Sequence, residues 1–162
     1  MRSNKTASVR KVNYSEALVY ASKRGNTELT MILLENLILE AEVQLSLREW
    51  GQARNKARLL LQRLPDPKHV YAGRAHRILG FVDFQKHKPK RGLQHFEKAL
   101  VIFDQHDLFD LYRDVTLHLS HHLAEQGQYE EAFQRLIDLD DKLVKSLIRR
   151  GVVVFSKKFI AE

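Results

Sequence analysis

The chain reads as an all-α protein assembled from repeated helix pairs, and three observations lead there. Only three prolines and seven glycines are spread over 162 residues, while Leu, Ala, Glu, Gln, Lys and Arg abound, a composition that favours helix and leaves few turns for a β-rich chain. An aromatic residue, or once a proline, stands three residues ahead of a small residue at Tyr14/Ala17, Trp50/Ala53, Pro89/Gly92 and Tyr129/Ala132, and the small residues are 36, 39 and 40 apart. A period in that range is the signature of stacked supersecondary units. Ahead of each of the last three pairs runs an apolar segment of helical character, "LTMILLENLILEAEVQL", "AGRAHRILGFVDFQ" and "LYRDVTLHLSHHLAEQG".

Taken in order, residues 1–12 form a basic, flexible N-terminus, residues 13–150 the helical repeat domain, and residues 151–162 a short tail. Tyr14/Ala17 match the second helix of a pair whose first helix is missing, because residues 1–12 are too few and too polar to supply one. The chain is therefore expected to be a fragment, or its first helix a lone cap. "LREWGQA" and "EQGQYEEA" read as short turns, with Gly127 just past a helix end and Glu130 and Glu131 in the first turn of the next helix, where they suit its dipole. "KHKPKR" is the turn of the central pair: Pro89 fits a first helical turn and the cations are solvated. "DQHDLFDLYRD" is expected to be a solvated loop leading into a helix. "YEEAFQRLIDLDDKLVKSLIRRG" is one long C-terminal helix whose Phe133, Leu136, Ile137, Leu143, Val144, Leu147 and Ile148 keep a near-heptad spacing interrupted by Asp140. It is longer than a repeat helix needs, so it caps the last pair or pairs with a second chain, a possible homo-oligomer. "VVVFSKKFIAE" is a strand or a docked tail.

Within the units, Leu79 and Gly80 set a large beside a small residue, so that a neighbouring helix can approach over Gly80, and Gly92 or Ala132 does the same on the second helix. His76-x2-Leu79-Gly80-x2-Asp83 followed by Gly92-x3-Phe96-x2-Ala99, and Thr116-x2-Leu119-Ser120-x2-Leu123 followed by Gly127, Tyr129 and Ala132-x3-Leu136, resemble the tetratricopeptide (TPR) family over most of residues 30–140. His76 and Asp83 depart from the family's Trp and Tyr. The resemblance implies a right-handed superhelix of about three antiparallel hairpins ending in a capping helix, like the TPR sensor or scaffold regions of bacterial signalling proteins. It also implies a concave groove lined by the first helix of each hairpin.

Composition narrows the function classes. With no cysteine, disulfides and thiolate metal sites are out, and the chain suits a reducing cytoplasm. No stretch has the length and apolarity of a membrane span or a signal peptide. The net charge of +7 is split into blocks: residues 1–26 and 142–158 are basic, while 104–141 hold ten acids against Arg113 and Arg135. An acidic block of that size repels a nucleic-acid backbone laid along the whole molecule, so direct binding through Lys86, Lys88, Lys90 and Arg91 is the least favoured reading. No phosphate loop, nucleophile elbow or paired acid and base is visible. His118 and His122 have the spacing of two zinc ligands on a helix, but no HExxH surrounds them and leucines interleave. No enzyme activity and no cofactor are expected.

The expected function is a non-catalytic scaffold that binds a protein or peptide in its groove. Arg74, Arg77, Phe81 and Phe84 fall at steps of 3, 4 and 3 and share one helix face; two guanidinium groups at the end of an apolar stripe suit a ligand with a carboxylate and a hydrophobic anchor. Ile38, Leu45, Leu117 and His121 complete the expected groove. The alternative is a regulatory sensor region of a larger signalling enzyme or transcription regulator.

Overall fold

The computed structural model describes residues 11–151, and these are all-helical. Seven helices follow one another: α1 (Tyr14–Lys23), α2 (Thr27–Ser46), α3 (Trp50–Arg63), α4 (Val70–Gln85), α5 (Pro89–Gln105), α6 (Phe109–Glu125) and α7 (Tyr129–Arg149). Each packs against the next in chain order, and α2 also meets α4. No strand occurs among the described residues.

The helices fold back on one another because five of the six connectors are the same three-residue device. The middle residue is left-handed each time: Gly25 (φ 62°), Arg48 (60°), His87 (57°), Asp107 (55°) and Gly127 (76°). Its N–H bonds the carbonyl three residues back, and the N–H of the following residue bonds the carbonyl five back, as in His87 to Phe84 at 3.1 Å and Lys88 to Asp83 at 2.8 Å. These paired bonds close the helix end by the Schellman arrangement. Three of the five left-handed positions hold residues with a Cβ, which costs roughly 1 kcal/mol or more each relative to glycine. Only the α3–α4 link, with Pro65 and Pro67, differs: Leu64 turns extended (ψ 123°), as a residue before proline must.

The turn at "KHKPKR" and the long C-terminal helix lie where expected, with Pro89 opening α5. The acidic run is not a loop. Asp104 lies in the last turn of α5, Asp110 and Asp114 lie in α6, and only His106–Leu108 connect them, because an apolar register continues on both sides. The helix α1 pairs with α2 through the same turn as the others, capped by Asn13, whose Oδ1 accepts from the Glu16 N–H at 3.2 Å. Burial, and then a hydrogen bond to Glu40, push the Tyr14 hydroxyl up to about 12. Readings for residues 1–10 and 152–162 fall outside the described residues.

Close approach organises the centre. A Cβ on Gly80 would sit 2.3 Å from Cδ1 of Phe96, one on Gly92 2.8 Å from Phe84, and one on Gly73 2.8 Å from Phe103. Each glycine is thus the seat of one ring, and α4 and α5 lie closely against each other. Gly73 was not singled out in the sequence because no spacing rule marks it. Ala53 and Ala132 are buried, as expected.

Candidate functional site

The stripe of α4 lies between α2 and α6, and its two arginines are already engaged. Arg74 grips Glu42 of α2 with two parallel bonds, Nε to Oε1 at 2.7 Å and Nη2 to Oε2 at 2.6 Å. This pairing raises the Arg74 pKa further, against burial. Arg77 donates from Nε to Oδ2 of Asp114 on α6 at 2.7 Å. The expectation that these cations wait for a ligand carboxylate is therefore corrected: they clamp three helices together, and no spacing in the sequence could have paired residues 32 and 37 apart.

The phenylalanines are half-buried. Phe81 sets an edge on Phe96 (centroids 5.2 Å) and on His118 (4.4 Å), with the Arg77 guanidinium 5.2 Å from its ring centre. Phe84 covers Gly92, lies 5.0 Å from Phe96 and 4.3 Å from His122. The i, i+4 pair His118/His122 thus matches the rings of Phe81 and Phe84 across the α4–α6 boundary. Packing, with His118 Nδ1 2.8 Å from the Asp114 carbonyl, accounts for that spacing. Among the described residues no three His, Cys, Asp or Glu side chains converge to hold a metal ion. No described helix is long and apolar enough to cross a membrane.

Of the remaining expected groove residues, Ile38 is fully buried. It is removed from the groove, since a helix stripe carries its apolar face inward and the neighbour Leu39 faces out. Leu45 is half-buried against the core. Leu117 is exposed, and so is His121, whose Nε2 is 3.2 Å from Glu125. Leu45 stands one turn beyond Glu42 on α2, and Leu117 and His121 stand one and two turns beyond Asp114 on α6, the helix whose His118 meets Phe81. Phe84 instead edges a cleft of about 290 Å³ with Pro89, Leu93 and His122.

Sequence reasoning missed two features. One is a cleft of about 750 Å³ where Val12, Leu39, Val43 and Leu47 are exposed beside Glu40 and Lys56. The other is a polar chain inside the central pair. His76 and His95 meet Nδ1 to Nδ1 at 3.0 Å, and His95 Nε2 is 3.7 Å from the buried Asp83 carboxylate, which also faces Arg91 at 3.8 Å. Burial pushes His76 down to about 4, with His95 and Lys98 adding to the shift, and burial lowers His95 against the pull of Asp83. The departure of His76 and Asp83 from the TPR pattern was the available signal. No family model, curated protein or solved structure matches this chain.

Proposed function

We propose that the chain is a non-catalytic, TPR-like scaffold whose hairpins α2/α3, α4/α5 and α6/α7 stack as a right-handed superhelix and hold a protein or peptide segment against α2, α4 and α6. One observation carries this reading: Glu42–Arg74 and Arg77–Asp114 join these three helices side by side, and the face around them presents Phe81, Leu117 and His121 on fixed backbone. A ligand meeting a surface held in place loses less to ordering that surface.

The arginines serve the scaffold, so the ligand is recognised by its apolar anchor. Leu117 and Phe81 supply the apolar contact, while His121 and Asp114 Oδ1 supply polar partners. Panning the full chain against a random peptide library tests this. The expected result is an enriched consensus with an aliphatic or aromatic anchor, whose binding falls at least about tenfold in Leu117→Glu, with unchanged thermal unfolding because Leu117 is exposed. A library that returns no consensus, or peptides indifferent to Leu117→Glu, overturns the reading.

A further inference from the structure

The helix α7 carries an apolar face that nothing among the described residues covers. Phe133 is 66% exposed, Ile148 49% and Val144 45%, with Leu136, Ile137 and Leu143 close to 40%. The corresponding face one repeat earlier is closed. Forty residues back, Phe96, Leu100 and Phe103 of α5 stand where α7 has Leu136, Asp140 and Leu143, and they are buried in one cluster with Val115, Leu119 and Leu123 of α6. The exposed stripe of α7 is thus the side on which a further helix would pack.

What covers it is indicated by two patterns within α7. The stripe is symmetric about Asp140: Ile137 and Leu143 lie three residues either side, Leu136 and Val144 four, Phe133 and Leu147 seven. The charge is antisymmetric about nearly the same point. Residues 129–141 carry Glu130, Glu131, Asp138, Asp140 and Asp141 against Arg135, whereas residues 142–150 carry Lys142, Lys145, Arg149 and Arg150 with no acid; Lys142 and Arg149 are engaged with Asp104 and Asp107 of their own chain, so Lys145 and Arg150 are the cations left for a second copy. A copy laid alongside in parallel sets acid on acid and base on base. A copy laid antiparallel sets each acidic half on a basic half, opposes the two helix dipoles favourably, and brings the apolar positions into register.

We propose that this face is a self-association surface, in which α7 of two copies pack antiparallel about a two-fold axis near Asp140. The interface is isologous, so it closes at the dimer and forms no filament. Asp140 meets its own copy at the axis. It is the single polar residue of the seam, fixing register at a cost in affinity.

The chain has no cysteine, which makes single-cysteine variants clean reporters. Sedimentation of the full chain at ~100 µM, ample for a standard interface, is expected to show a dimer. Leu136→Glu with Val144→Glu is expected to give a monomer with native circular dichroism, because both residues are exposed in the single chain. Under mild oxidation Asp140→Cys is expected to cross-link to itself. Glu130→Cys is not, since ten residues either side of the axis separate the two copies by about 30 Å along the helix. Asp140→Leu should tighten the dimer by about tenfold or more. A monomer at ~100 µM, or a dimer that survives the double substitution, overturns the proposal. So does a Glu130→Cys chain that cross-links as readily as Asp140→Cys, which is the parallel arrangement.

Discussion

The central hairpin, α4/α5, and the C-terminal one, α6/α7, have the same helix–turn–helix outline at a forty-residue offset, and they are held in different ways. In the centre, Gly80 and Gly92 admit the rings of Phe96 and Phe84. At the matching places α6 and α7 have Ser120 and Ala132, and Leu136 stands where Phe96 was. Where the centre half-buries a His76–His95 contact, the last hairpin has Thr116 and Arg135. Thr116 bonds back to the Tyr112 carbonyl at 2.8 Å, and Arg135 reaches over to Glu97 of α5. Ion pairs from α7 to the preceding repeat, Lys142–Asp104 and Arg149–Asp107, do at the edge what interlocked rings do in the middle. The difference teaches that apolar identity does not by itself decide burial in a row of packed helices: a residue is core only if a next layer exists.

The largest expected break in this pairing is Phe96→Ala. Its ring is buried to 1%, and deleting it should cost about 3–5 kcal/mol. Leu136→Ala, at the same place one repeat on but 40% exposed, should cost under about 1 kcal/mol in the monomer. Urea midpoints of the two variants, each compared with its parent in a Val144→Glu background, check it; equal losses would mean that the last hairpin is packed like the centre.

Gly80→Ala should come next. A helical alanine for glycine normally gains about 1 kcal/mol, yet here its Cβ would fall 2.3 Å from a buried ring that has nowhere to go, so a net loss of about 1–3 kcal/mol is expected. Ser120→Ala, its counterpart, should change stability by less than about 1 kcal/mol. A stabilised Gly80→Ala chain would show that Phe96 can shift and that the close approach is not needed.

Acid should separate the hairpins more gently. The folded-state pKa of His76 lies near 4, below its ordinary 6.5, so the unfolded chain takes up the proton first. The stability that this neutral, half-buried imidazole represents is whole above about pH 6.5 and is lost as pH falls towards 4. Amide exchange followed across that window should accelerate in α4 and α5 before α6 and α7, and His76→Gln should flatten the difference. Acceleration that begins in α7 instead would show that the His76 contact is not the acid-sensitive element.

Much of the helical plan was legible in the sequence by itself, for a local reason. Helix content, the turns at Arg48, His87 and Gly127, the proline at the start of α5, and the small residues at the helix seams all follow from backbone chemistry acting within a few residues, repeated at a period that spacing reveals. Local pattern also marked Arg74, Arg77, Phe81 and Phe84 as one face. What that face does depended on residues far away in the chain: Glu42 and Asp114 claim the arginines, and Phe96, His118 and His122 half-cover the rings. Those partners belong to other helices, and the sequence holds no record of which carboxylate meets which guanidinium until the helices are stacked. The same holds for Ile38 against Leu39, and for Leu136 against Phe96. Periodicity says that such residues share a stripe, but only tertiary packing decides whether another layer lies on it, because burial is a property of neighbours and not of the residue.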